Sequence, residues 1–264
     1  TLKNFKLNLD KSFKNKKIIV TGSSRGLGLE TCKILASKGA LLAMLSRSNS
    51  EMLKLKKKFH NSSKHICIET DLQNNSDINN SFLKAKKFLK SIDIIIHIAG
   101  GGLGLKKPLL KSFEITKLLQ LNLLSIVELN RLAIEHKKKS KSLKLIHVGS
   151  ITSYEGVGSV GYNTAKAALA AYVRSLGREV YKENIIVTGI MPGGFISKGN
   201  SMYRLKENNI NAYKKFINER LPRKKMGTVD EIIPMLLFLC SDFSSMMGGC
   251  MVPIDAGEGK SYAN

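Results

Sequence analysis

Short apolar runs of strand length alternate along the chain with longer stretches whose apolar residues recur at helical spacing. The runs fall at 17–21, 41–45, 65–69, 93–98, 143–149, 185–190 and 251–254, and the helical stretches at 27–38, 51–59, 76–90, 112–138, 160–182 and 229–240. β-rich runs alternating with helices predict a parallel sheet covered on both faces. The unbroken Ile94-Ile95-Ile96 agrees, because a strand buried on both sides has no polar face to alternate with. The pattern predicts one α/β domain over 1–264, a doubly wound, mostly parallel seven-stranded sheet of Rossmann type. A polar, lysine-rich insertion at about 195–225 carries a helical pattern of its own, and Phe5, Leu7 and Leu9 alternate as a short packing arm would.

Composition changes this picture little, and charge changes it more. A length of 264 residues with 43% hydrophobic and 24% charged residues fits one ordinary globular domain. No apolar run approaches the roughly 18 residues of a membrane span, and the polar first 17 residues lack the apolar core of a secretory signal. Cys32, Cys67, Cys240 and Cys250 form no C-x-x-C pair or ligand cluster, so buried free thiols in a reducing, cytoplasmic setting are expected and no metal is.

The net charge of +23 admits an acidic partner, a phosphorylated or carrier-bound substrate, or nucleic acid. Only eight of the 43 basic residues are Arg, the lysines are scattered, and Trp is absent. Arg forks and stacking aromatics are what nucleic-acid sites use. The charge therefore reads first as a solvated lysine surface, second as attraction for acidic substrates, and not as a specific nucleic-acid site.

Thr21-Gly22-Ser23-Ser24-Arg25-Gly26-Leu27-Gly28 lies between the first strand and the first helix. A dinucleotide pyrophosphate needs a tight turn, close backbone approach and the free N–H groups of a helix N-terminus, and this segment offers all three. The second strand ends Leu45-Ser46-Arg47-Ser48, without the acidic residue that would bind ribose hydroxyls. Arg47 and Arg25 offer charge-assisted bonds to a 2′-phosphate instead, so the cofactor expected is NADP(H).

Tyr162 and Lys166 are four residues apart in a helical stretch and so share a face. Carbonyl reduction needs a proton for the developing alkoxide, and a free phenol near pKa ~10 is a poor acid–base at neutral pH. A nearby ammonium is expected to lower that pKa. Alone the pair is a common coincidence; here it follows the fifth strand, with Ser150 twelve residues before Tyr162.

These segments together, with T-D-L at 70–72, L-N-L at 121–123, G-S-I at 149–151, M-P-G-G-F-I-S at 191–197 and G-T-V-D-E-I at 227–232, make the chain resemble the short-chain dehydrogenase/reductase family over nearly its whole length, in the manner of 3-oxoacyl-carrier-protein reductases. The resemblance implies an oxidoreductase moving hydride between nicotinamide and a carbonyl or secondary alcohol. Tyr162 would be the proton donor or acceptor, Lys166 would hold the nicotinamide ribose, Ser150 would orient the carbonyl, and Asn122 would hold a water linking Lys166 to solvent. Gly22, Ser24, Arg25, Gly26, Leu27, Gly28 and Arg47 would bind the phosphate end, and Asp71 and Leu72 would edge the adenine. Ala99, Gly100, Pro192, Gly193 and Ile196 would flank the nicotinamide, with the Ile196 N–H open to its amide.

The sequence departs from the family's pattern in places. His97-Ile98-Ala99-Gly100 replaces the usual Asn-Asn-Ala-Gly, and Met191 stands where Asn is usual. His97 reads as a satisfied near-core histidine. Gly100-Gly101-Gly102-Leu103-Gly104 reads equally as a mobile lip or a structural loop. The insertion would choose the substrate: a 3-oxoacyl thioester on an acidic carrier, or alternatively a phosphorylated sugar or nucleotide-sugar met by Lys198, Arg204 or Lys206. A catalytically silent NADP-binding or partner subunit is the reading from another class. Apolar helix faces carrying Leu118, Leu121, Leu129, Ala168, Ala171 and Leu176 serve the core on one side, and the family implies a homodimer or homotetramer through outer faces.

Overall fold

In a computed structural model the described residues are 9–261, so Phe5 and Leu7 of the expected arm lie outside them. Leu9 packs at the margin of the core. The strands are β1 (Lys17–Thr21), β2 (Leu41–Ser46), β3 (His65–Glu69), β4 (Ile94–His97), β5 (Leu143–Val148), β6 (Ile185–Pro192) and β7 (Met251–Ile254). They form one sheet in the order β3-β2-β1-β4-β5-β6-β7, and every neighbouring pair is parallel. The order reverses between β1 and β4, which opens a crevice at the carboxyl ends of those strands.

Alternation along each strand divides the interior in two. Ile19, Ala43, Leu45, Ile95, Leu145 and Val187 face one layer, made with α3 (Asn75–Leu89), α5 (Ser125–Glu135) and α6 (Val160–Val180). Ile18, Val20, Leu42, Met44, Ile94, Ile96 and Ile190 face the other, made with α1 (Gly26–Ser37), α2 (Asn49–Lys56) and α9 (Val229–Cys240). Cys32 and Cys240 lie free and buried as expected, whereas Cys67 and Cys250 are free but only half-buried.

The stretch expected as one helix over 112–138 is interrupted. It consists of α4 (Ser112–Leu119), a π-helical turn at Gln120–Leu124, and α5. The Asn122 side chain donates from Nδ2 to the Leu118 carbonyl four residues back at 2.9 Å, an acceptor that helical backbone would otherwise use. Such a turn bulges the helix locally and re-aims its side chains. The insertion forms two helices, α7 (Ser201–Asn208) and α8 (Ile210–Arg220). Asn200 caps the first from the Tyr203 N–H and Asn209 the second from the Ala212 N–H. Tyr213, Leu221 and Met226, with Phe216 and Ile217 against them, give it a small core of its own. Among the described residues no helix is long and apolar enough to cross a membrane.

Candidate active site

The turn after β1 shows why its glycines are needed. Gly22 has φ +71°, and a methyl group placed on it would stand 2.8 Å from the Ala99 backbone nitrogen. The Thr21 hydroxyl accepts the N–H groups of Ile98 and Ala99 at 3.1 and 3.2 Å, tying the end of β1 to the segment after β4. A methyl on Gly28 would reach within 2.2 Å of the Gly22 carbonyl oxygen. The first turn of α1, with Leu27 buried beneath it, therefore lies against bare backbone. Arg25 and Arg47 stand exposed at the ends of this turn and of β2, with Ser24 between the glycines. The segment after β6 reaches the same turn: Gly26 has room for no side chain because Ser197 Oγ would be 2.4 Å away.

Beyond β3, Leu72 is buried and the Asp71 carboxylate accepts the Gln73 N–H at 3.0 Å. Beyond β4, Gly100 faces the polar centre of the crevice. A methyl there would come within 2.9 Å of Asn122 Oδ1 and 3.3 Å of Lys166 Nζ. Asn122 holds the glycine-rich loop by both backbone groups of Gly101, accepting its N–H at 2.9 Å and donating to its carbonyl at 3.0 Å. The loop then passes Tyr162, with Gly102 alongside.

Ser150 follows β5, Asn122 comes from the π turn, and Tyr162 and Lys166 come from the first turns of α6, so three elements bring the four side chains to one place. The Ser150 hydroxyl faces the Tyr162 phenol closely enough to favour its ionised form. Lys166 is buried, donates from Nζ to the Val148 carbonyl at 2.8 Å, and lies 5.8 Å from the Tyr162 ring centroid. The expected lowering of the tyrosine pKa is reversed. Burial pushes the phenol up to about 12 against the opposing pull of the Ser150 hydroxyl, and burial draws Lys166 down to about 8. Desolvation of the phenolate dominates here, and the Lys166 ammonium is hydrogen-bonded to the Val148 carbonyl.

Two further expectations change. The Ile196 N–H is not open, because it donates to the Gly227 carbonyl at 2.9 Å beside the Phe195–Gly227 bridge. His97 is buried but only partly satisfied. Its Nε2 meets Asn130 Oδ1 at 2.8 Å, while Nδ1 has no partner. Pro192 and Gly193 lie at the end of β6, where the Gly193 N–H donates to the Ile254 carbonyl at 3.1 Å. Of the insertion's cations, Arg204 is turned to the Gly199 carbonyl at 2.5 Å. Sequence reading passed over the buried carboxylate of Glu258, which accepts the Gly194 N–H at 2.5 Å. Its one sequence signal is an acid set between Gly257 and Gly259 in a strongly basic chain.

Glycines that leave the crevice floor bare and a helix N-terminus aimed at it suit a nicotinamide dinucleotide. The chain belongs to the short chain dehydrogenase family, which it matches over residues 16–208. It is therefore an oxidoreductase with a Rossmann-type fold. Among its relatives, the 3-oxoacyl-[acyl-carrier-protein] reductase FabG of Aquifex aeolicus is 27% identical over 245 residues, covering 90% of this chain and 95% of the relative. A short chain dehydrogenase from Burkholderia cenocepacia solved with NADP superposes at TM-score 0.83 with 20% identity, covering 94% of this chain and 100% of that one. A 3-ketoacyl-(acyl-carrier-protein) reductase from Brucella melitensis solved with NADH does so at 0.81 with 19% identity and the same coverage.

Proposed function

We propose that the protein is an NADP(H)-dependent reductase of a carbonyl carbon, with a 3-oxoacyl thioester as its substrate class. One observation carries the reading: Ser150, Tyr162 and Lys166 meet at the end of β5, with the hydroxyl facing the phenol and the ammonium buried next to bare Gly100. The nicotinamide, when bound, supplies the hydride. Ser150 orients and polarises the carbonyl oxygen. Tyr162 gives that oxygen a proton. A phenol held at about 12 is fully protonated at neutral pH, and the alkoxide it must protonate is a stronger base than its phenolate.

Lys166 and Asn122 hold the floor beneath the reacting atoms. Lys166, across Gly100, would hold the nicotinamide ribose, and the lone pair left on Asn122 Oδ1 would hold a relay water. Arg25 and Arg47 favour the 2′-phosphate, and the relatives leave that preference open, since one is solved with NADP and another with NADH. The 3-oxoacyl assignment is supported by the relatives' names and by the surplus of positive charge, which would draw an acidic carrier. The segment 195–225 is the substrate-choosing part. Exposed Phe113, Leu124 and Val160 on α4 to α6 suit a homodimer or homotetramer.

The test is a panel of 3-oxoacyl thioesters, plain ketones and phosphorylated sugars, each with NADPH and with NADH, followed by loss of nicotinamide absorbance. Thioester reduction faster with NADPH, with a KM for the carrier form that rises with salt, is expected. Tight NADPH binding without turnover of any carbonyl would leave only a nucleotide-binding subunit.

A further inference from the structure

Glu258, in the tail beyond β7, is a carboxylate whose side chain is 3% exposed in a chain with 20 acidic residues against 43 basic ones. One oxygen, Oε2, accepts the Gly194 N–H at 2.5 Å across 64 residues of sequence. The other, Oε1, accepts from Arg220 Nη2 at 3.0 Å. Arg220 ends α8. It also donates from Nη1 to the Val157 carbonyl at 3.3 Å and lies over the Phe216 ring, 5.4 Å from its centroid. That ring in turn abuts Gly194, where a methyl group would come within 3.0 Å of Phe216 Cε1.

The same tail reaches the other wall. Glu155 Oε1 accepts the N–H groups of Lys260 and Ser261, the latter at 2.7 Å. The Glu155 carbonyl accepts from Asn163, the neighbour of Tyr162, at 3.1 Å. Three segments that flank the crevice therefore converge on one ion pair: the Gly193-Gly194 turn after β6, the end of α8, and the loop between Ser150 and Tyr162.

An ion pair with one partner buried and the other part-exposed is weak as a source of stability, because desolvation of the buried charge offsets the attraction. Its distinctive property is direction: a fork with fixed geometry binds each segment at one orientation. Gly193 and Gly194 are what let it approach, since a methyl on either would fall 2.8 or 3.2 Å from Glu258 Oε2.

We propose that Glu258 and Arg220 are positioning residues that fix the two walls of the substrate crevice, and so determine how tightly the carbonyl substrate is held. The pair touches no reacting atom and acts through Gly194, α8 and Val157. Its effect on turnover rests on the reductase reading above; its effect on the walls does not.

The experiment compares Arg220→Ala, Arg220→Lys and Glu258→Gln with the full-length wild type. Steady-state kinetics would be run for the carbonyl and for NADPH, alongside hydrogen–deuterium exchange of peptides covering 153–158 and 193–220. The expected result for Arg220→Ala is a carbonyl KM raised about tenfold with kcat changed about threefold at most, and faster exchange in both segments. Arg220→Lys, keeping the charge but not the fork, falls between. Lowered stability with the carbonyl KM and the exchange at 153–158 unchanged would overturn the proposal. If the wild type reduces no carbonyl at all, the reductase reading fails on its own. The exchange data then decide: faster exchange at 153–158 in Arg220→Ala sustains the clamp, and unchanged exchange removes it.

Discussion

His97 and His147 stack face to face on neighbouring strands β4 and β5, with ring centroids 4.9 Å apart and planes 13° from parallel. Asn130 joins their edges, accepting from His97 Nε2 at 2.8 Å and donating to His147 Nε2 at 3.1 Å. His147 Nδ1 then donates to the Thr188 carbonyl at 3.0 Å. The chain requires a neutral His147, whose Nε2 must accept from Asn130 while its Nδ1 donates, and a proton on His97 Nε2. Burial, first of all, draws His147 down to about 4, against the opposing Thr188 bond, and burial and His147 draw His97 well down too.

The pair should make the fold labile to acid. The unfolded histidine binds its proton near pH ~6.5 and the folded one only near 4, so between those values the unfolded state carries more protons. Stability from His147 is thus fully present above pH ~6.5 and lost as the pH falls towards 4, by about 3 kcal/mol. Denaturant unfolding at several pH values should show this slope and a shallower one in His147→Gln. An identical acid slope in the variant would refute the neutral chain.

Removing the phenolic oxygen tests the assigned acid. Tyr162→Phe keeps the ring against Gly102 and Lys166 but has no proton to give, so kcat should fall by about two to four orders of magnitude while NADPH affinity stays within a few-fold. Ser150→Ala should lower kcat less steeply, since it removes orientation and one hydrogen bond. Single-turnover rates with saturating NADPH separate these effects from binding.

What the sequence disclosed depended on how local the cause was. All seven strands were legible from apolar runs, and the crevice from glycines between the first strand and first helix, because strand burial and tight turns are set by neighbouring residues. The π turn at 120–124 was not legible: its apolar spacing is that of a helix, and the interruption coincides with one side-chain bond, Asn122 to the Leu118 carbonyl. The reversal at Tyr162 was hidden for a related reason. The i,i+4 spacing puts Lys166 near the ring, but where its ammonium points depends on Val148, a strand away. Glu258 was passed over because its partners, Gly194 and Arg220, are 64 and 38 residues distant.

Cofactor preference should turn on Arg47. A charge-assisted hydrogen bond to a 2′-phosphate contributes about 1.5–3 kcal/mol. Arg47→Asp should therefore raise the KM for NADPH by about tenfold or more and lower that for NADH, since a carboxylate there accepts from the ribose hydroxyls. Parallel titrations of the two cofactors give the ratio. A variant that still favours NADPH by the wild-type margin would shift the phosphate site to Arg25 alone.

Gly28 and Gly156 make a matched pair for testing the nucleotide turn. A methyl on Gly28 would stand 2.2 Å from the Gly22 carbonyl oxygen and 2.8 Å from its carbon, both main-chain atoms that no rotamer change can move. The start of α1 must therefore back away from β1, which overpacks a closed interface and is expected to destabilise by about 1–3 kcal/mol. For a chain of this length that lowers Tm by roughly 2–4 °C per kcal/mol. The displaced turn is also the one whose N–H groups would face the pyrophosphate, so NADPH affinity should drop in Gly28→Ala along with Tm. Gly156 is exposed, and a methyl there meets nothing within 4 Å. Gly156→Ala should leave stability within about 0.5 kcal/mol of wild type and NADPH binding unchanged. Calorimetric Tm and fluorescence titration of NADPH on both variants check the contrast. Equal behaviour of the two would show that close contact at Gly28 does not govern the turn.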